Sequence, residues 1–233
     1  MSQNWDDKRL TKMDGLSPEK LLLNPFLYAN RMAVTKWLAR FDLYRMVDDV
    51  KGSVIECGVR DATSLMVYYH LANILRPFDF EEKIVGFDTF SGFPSVSSHD
   101  PTDSSIGQEC GGIPLQEINE WVRFQDENRP GVGHIPKVEL VEGDACVTIP
   151  RYVDENPQLI IKLLVLDFDL YEPTKVALEK FVPLMPRGGV VVFDELAEKR
   201  WSGETLAFKE LMEVNSVSLR RLPYDTHHTY FVV

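Results

Sequence analysis

Two pairs of acidic residues stand at the ends of apolar runs. Leu159 to Leu166 is apolar except for Lys162, then breaks into Asp167-Phe168-Asp169. Gly188-Gly189 leads into Val190 to Phe193 and then Asp194-Glu195. Short runs of this kind read as strands buried on both faces of a parallel sheet. A helix expected over residues 173–184, entered through Pro173, would connect them as a crossover, so the two strands are expected side by side. Their ends would then lie roughly 5 Å apart. Asp167, Asp169, Asp194 and Glu195 would crowd one rim. Like charges that close are costly unless a proton or a cation intervenes. A hard divalent cation held through oxygens, Mg²⁺ above all, would relieve them. A plainer reading also fits. Asp169 with Glu172 three positions on suits a helix cap with its capping-box partner, and Asp194-Glu195 suits a solvated strand end.

A second constellation lies upstream. Ser53 to Val59 reads as a strand and its turn, followed by a helix over 65–75 with Asp61 as a plausible cap. Lys83 to Asp88 reads as the next strand, ending in an acid 30 residues after Gly58. A strand, a glycine turn, a helix and a strand tipped by an acid bind adenosine-type ligands, with the acid on the ribose hydroxyls. Gly58 stands alone, followed by Val-Arg-Asp-Ala. Without the further glycines of G-x-G-x-x-G the backbone cannot close on a pyrophosphate, which argues against NAD and FAD. Glu56 would repel phosphate but suits a ligand carrying an ammonium group.

The remaining elements must hold these two groups together. Ser17-Pro18-Glu19 starts a helical segment that runs to about residue 48, with a break near Asn24-Pro25. Its many aromatics suit a helix packed on the sheet, a lid or a dimer surface. Residues 89–114 show little periodicity and are expected to cover the substrate. A helix over 115–126, a strand over 137–141, a helix over 147–155 and another from Ser202 to about Val214 follow. Residues 217–222 and 229–233 read as a closing hairpin. The count is five βα units and a hairpin: an α/β, doubly wound, seven-stranded, mostly parallel sheet with a C-terminal antiparallel hairpin and an N-terminal helical extension.

Composition narrows the partners. The net charge is −11, so no basic surplus exists to neutralise nucleic-acid phosphates or to meet an anionic membrane. No apolar run approaches the roughly 20 residues of a membrane span. The first residues lack the apolar stretch of a signal peptide, and Cys57, Cys110 and Cys146 are scattered without metal spacing. These features suit reduced thiols in a cytoplasmic protein.

Four motifs carry a resemblance. Ile55-Glu56-Cys57-Gly58-Val59, Gly86-Phe87-Asp88-Thr89-Phe90-Ser91-Gly92-Phe93-Pro94, Leu166-Asp167-Phe168-Asp169-Leu170-Tyr171-Glu172-Pro173-Thr174 and Gly188-Gly189 through Asp194-Glu195 occur in this order. Together they resemble the macrocin O-methyltransferase (TylF/MycF-like) family of class I S-adenosylmethionine-dependent methyltransferases, over roughly residues 50–210. The resemblance implies a Rossmann-like fold, with residues 51–233 as the S-adenosylmethionine-binding domain and residues 1–50 as a helical lid or dimerisation segment. It implies a cytoplasmic homodimer that methylates a hydroxyl of a small molecule with Mg²⁺. The acceptor it suggests is a sugar or nucleotide-sugar, in natural-product or polysaccharide biosynthesis.

The resemblance also assigns roles. Glu56 would meet the cofactor's amino group, with Gly58 allowing close approach and Thr63 and Ser64 lining the turn. Asp88 would take the ribose, Asp144 the adenine amino group with Ala145 beside it, and Asp167 would border the cofactor as well. Asp167, Asp194 and Glu195 would hold the metal. Glu195 replaces a second aspartate of the family motif, so one oxygen stands a methylene further out. Asp169, or Asp167 in a shared role, would accept the acceptor's proton. Among the histidines, His99 could assist as a base from the long loop. His227 and His228 read as solvated in a turn, and His70 and His134 carry no ligand pattern. Two alternatives remain: a phenolic or catechol acceptor, and a non-catalytic S-adenosylmethionine-binding partner subunit.

Overall fold

The structure is a computed structural model and describes residues 11–100 and 112–233. Part of the long loop, with Cys110, lies outside the described residues. The chain divides into two compact units, one ending at Leu38 and one running from Ala39 to Val233.

The first unit holds α1 (Pro18–Leu23), α2 (Pro25–Tyr28) and the start of α3 (Arg31–Met46). As expected, Ser17 caps α1, its side chain accepting from the Lys20 N–H, and Pro18 opens the helix. Pro25 opens α2, which explains the break after Asn24. Phe26 meets Trp37 edge to face at 5.2 Å.

The second unit is a seven-stranded sheet. Its strands are β1 (Ser53–Cys57), β2 (Ile84–Asp88), β3 (Val138–Glu142), β4 (Ile161–Leu166), β5 (Val190–Phe193), β6 (Arg220–Arg221) and β7 (Thr229–Val232), in the order β3-β2-β1-β4-β5-β7-β6. The first five are parallel. The hairpin adds β7 antiparallel to β5, and β6 antiparallel to β7. The helices are α4 (Thr63–Leu75), α5 (Leu115–Glu127), α6 (Ala145–Glu155), α7 (Tyr171–Phe181) and α8 (Gly203–Leu211).

Side chains alternate across the strands, and both faces are covered. On β4, Leu163 and Val165 join one apolar cluster with Leu43, Leu65, Tyr68 and Ile118 from α3, α4 and α5. Leu164 and Leu166 join the opposite cluster with Ile149, Phe181 and Phe208 from α6, the end of α7 and α8. This two-sided burial is why β4 is written as an unbroken apolar run. Lys162, the exception, is buried and pairs with Glu82 at 2.9 Å. Tyr44 donates its hydroxyl to the same glutamate at 2.6 Å.

Several boundaries differ from expectation. Helix α7 begins at Tyr171, so Pro173 is its third residue rather than its entrance, and Asp169 is not its cap. Leu170 holds that position without a side-chain bond; the Tyr171 N–H is met instead by Asp100 Oδ1, 71 residues upstream, at 2.7 Å. Gly203 lets that carboxylate in, because a Cβ there would stand 2.6 Å from it. Helix α6 starts earlier than its periodicity suggests, at Ala145, because Asp144 caps it. Strand β6 is only two residues long.

Candidate active site

The carboxyl ends of β1, β2, β4 and β5 form the rim where open α/β sheets bind ligands. The backbone there is unusual. Among the described residues, the non-glycine residues with positive φ are Arg60, Ala62, Phe90, Asp169 and Ala197, and each lies in a loop leaving one of these four strand ends. Such conformations cost about 1–3 kcal/mol each and persist where surrounding structure imposes them.

At β1, Glu56 is 1% exposed and its Oε2 has no hydrogen-bond partner. Burial drives its pKa up to about 7, against the opposing pull of the Ser64 hydroxyl and the Arg40 guanidinium. Arg40, itself buried on α3, donates to Ser64 Oγ. An unpartnered buried carboxylate oxygen fits the ammonium group of S-adenosylmethionine. Gly58 follows with φ +97°, and a Cβ there would fall 1.9 Å from the Asp167 carbonyl. Only glycine lets β1 and β4 come together at this point.

Asp88 ends β2, and its carboxylate organises both neighbouring turns. It accepts from Val59 N at 2.8 Å, Arg60 N at 2.9 Å and Phe90 N at 2.7 Å. A ribose would have to share or replace these bonds. Asp144 accepts from Cys146 N at 2.9 Å as the cap of α6, with Ala145 buried behind it. Asp61 accepts from the Thr63 N–H at 3.0 Å, while Ala62 takes the cap position of α4 in a left-handed conformation.

The two acidic strand ends do meet. Leu166 pairs with Phe193, and the Asp194 N–H continues the ladder to the Leu166 carbonyl at 3.1 Å. Asp167 is therefore the strand neighbour of Asp194. Burial raises its pKa well above the carboxylate range, and the charges of Asp194 and Asp169 push the same way. Glu195 is raised by burial, by the charge of Asp169 and by a hydrogen bond with it.

Behind the rim stands Glu204, 0% exposed, its Oε2 accepting from the Glu195 N–H at 3.1 Å. Its own pKa is also raised, first by burial. Buried oxygens without a hydrogen-bond partner recur here: Asp194 Oδ1, which has His228 Nε2 at 3.2 Å, Glu195 Oε2 and Glu204 Oε1. Hard oxygens with surplus negative charge suit Mg²⁺ chemically. Among the described residues, no three His, Cys, Asp or Glu side chains are already drawn into a metal-binding group.

Four residues of this region escaped sequence reading: Arg40, Asp100, Glu204 and His228. His228, expected in solvent, is 2% exposed. Its Nδ1 contacts Asp225 Oδ2 and its Nε2 lies 3.2 Å from Asp194 Oδ1. The available signal was Asp-x-x-His placed directly before a strand. The ring of His99 lies against Tyr171 at 4.3 Å between centroids, and Phe93 faces Trp201 at 6.3 Å, giving the rim an aromatic border.

The sequence matches the family described as macrocin-O-methyltransferase (TylF) over residues 35–221. The chain belongs to the macrocin O-methyltransferase family. As a member it is an S-adenosylmethionine-dependent O-methyltransferase with the family's Rossmann-like fold. Among solved structures this methyltransferase is similar to CalS11, a calicheamicin methyltransferase, at 35% identity with a TM-score of 0.90 over 100% of this chain and 94% of that one. An apo structure of CalS11, described as a TDP-rhamnose 3′-O-methyltransferase of calicheamicin biosynthesis, matches at 32% identity and TM-score 0.82, over 100% and 96%. The O-methyltransferase NovP shares the fold at 17% identity and TM-score 0.64, over 86% and 78%. No curated protein matches the sequence.

Proposed function

We propose that this methyltransferase acts on a hydroxyl of a sugar or nucleotide-sugar in natural-product biosynthesis, and that Mg²⁺ assists it. The likeness to CalS11 along the whole chain supports the acceptor class. The observation that carries the metal is the meeting of Asp167 with Asp194 and Glu195 on neighbouring strand ends, with buried oxygens left unpartnered.

The residues divide the work. Glu56 takes the ammonium group of S-adenosylmethionine, and Asp88, with the turns it organises, takes the ribose. Asp144 and Ala145 border the adenine, and Thr63 and Ser64 line the turn. Asp167, Asp194 and Glu195 would hold Mg²⁺. When bound, the ion lowers the pKa of an alcohol that is otherwise a poor nucleophile. Asp169, or Asp167 beside it, receives the hydroxyl proton as the oxygen forms its bond to the methyl carbon. The carbon–sulfur bond breaks and its electron pair stays on sulfur, leaving S-adenosylhomocysteine. The rim holds these groups in line, which lowers the entropic part of the barrier.

The test is calorimetry with S-adenosylhomocysteine, with and without Mg²⁺, on wild type and Asp167→Asn. Metal uptake should be lost in the variant while cofactor affinity changes little. Equal Mg²⁺ affinity in both proteins would remove Asp167 from the metal. Turnover with a panel of nucleotide-sugars and catechols tests the acceptor. Methylation of catechols alone would overturn the sugar assignment.

A further inference from the structure

We propose that His228 is a positioning residue that holds the Asp194 carboxylate at the rim, with Asp225 setting the ring. This rests on Asp194 being a metal ligand, as read above. The register puts it there. Strand β7 runs antiparallel to β5, and Thr229 pairs with Phe193. One step further along the ladder brings His228 opposite Asp194.

The ring is fixed from its other side. Asp225 is 4% exposed and contacts His228 Nδ1 through Oδ2, while its Oδ1 accepts from the His227 N–H at 3.0 Å. Asp225 N–H in turn donates to the Leu222 carbonyl at 3.2 Å, so the acid is anchored in the hairpin turn. A carboxylate on Nδ1 keeps a proton on that nitrogen and turns Nε2 toward Asp194. Nε2 lies 3.2 Å from Asp194 Oδ1, close enough for an ion pair but outside good hydrogen-bond alignment; Oδ1 has no hydrogen-bond partner. Small rotation of the carboxylate would complete the bond. A ligating carboxylate held from outside in this way keeps its orientation when a cation is absent.

Two measurements decide it. In calorimetry with Mg²⁺, His228→Phe should lose roughly 10- to 100-fold in metal affinity. His228→Gln places an amide donor near the old Nε2 and should recover most of that loss. Both should bind S-adenosylhomocysteine like wild type in the absence of metal. A folded His228→Phe with wild-type Mg²⁺ affinity would overturn the proposal. The second measurement needs no metal and no His228 variant. In ¹⁵N spectra of the full chain, the His228 ring nitrogens should shift in Asp194→Asn, and an unchanged Nε2 signal would overturn the contact. If wild type itself takes up no Mg²⁺, the metal reading falls alone, and the nitrogen shifts still decide His228.

Discussion

Glu56, in the role proposed above, would set a pH dependence on cofactor binding. Its pKa stands near 7 because burial penalises the charged form more than Ser64 and Arg40 favour it. An ammonium group is bound by the carboxylate, not by the neutral acid. Affinity for S-adenosylhomocysteine should therefore rise as the pH climbs through about 7 and level off above it. Calorimetry from pH 5.5 to 8.5 would show this slope, and Glu56→Gln should bind more weakly with the slope gone. A slope that survives in Glu56→Gln would assign it to another group. Single residues of this kind were legible in part. Glu56, Asp167 and Asp194 announce themselves as acids at the ends of apolar runs. Arg40 and His228 do not, because a polar residue in a helix or a turn looks solvated until distant chain packs over it.

Among the elements, the buried parallel strands were the most legible and the starts of α6 and α7 the least. Strands β4 and β5 are buried on both faces, so burial is written into every residue. The start of α7 is set by Asp100, a residue 71 positions away that no local pattern could supply. Lys162 shows the same limit inside β4, since its partner Glu82 lies in the stretch before β2. Both side chains are about 1% exposed, and burial lowers the pKa of the lysine even though Glu82 raises it. Removing one member of such a pair leaves an uncompensated buried charge and typically costs about 3–5 kcal/mol. Lys137, 4.0 Å from the same glutamate, should soften this. Lys162→Met is expected to destabilise the fold by about 3 kcal/mol in urea melts. Lys162→Met with Glu82→Gln should regain much of the loss, whereas additive costs would mean that the pair is not coupled.

At the scale of the whole molecule, an excess of acid is concentrated at the proposed active site. The chain carries −11 overall, and four carboxyls of this region, Glu56, Asp167, Glu195 and Glu204, have pKa values raised by burial. A carboxyl with a higher pKa when folded binds its proton more tightly in the native state. Each such group lowers stability as the pH rises from its ordinary value, 3.8 for Asp167 and 4.5 for the glutamates, through its folded value, which for Glu56 is about 7. Asp225, lowered to about 2, works in the opposite sense, but its effect is complete once the pH has passed its ordinary 3.8. The balance above pH 5 therefore belongs to the raised acids. The melting temperature without divalent ions should fall between pH 6 and 8.5. Mg²⁺ at the site proposed above would replace the missing protons as the counter-charge, so its stabilising effect should grow over the same range. Asp194→Asn removes one of the repelling charges and a proposed ligand together, and should both flatten the pH slope and abolish the Mg²⁺ effect. Thermal melts of the two proteins at three pH values would check this. A Mg²⁺ effect of equal size in Asp194→Asn would place the ion elsewhere on this acidic surface.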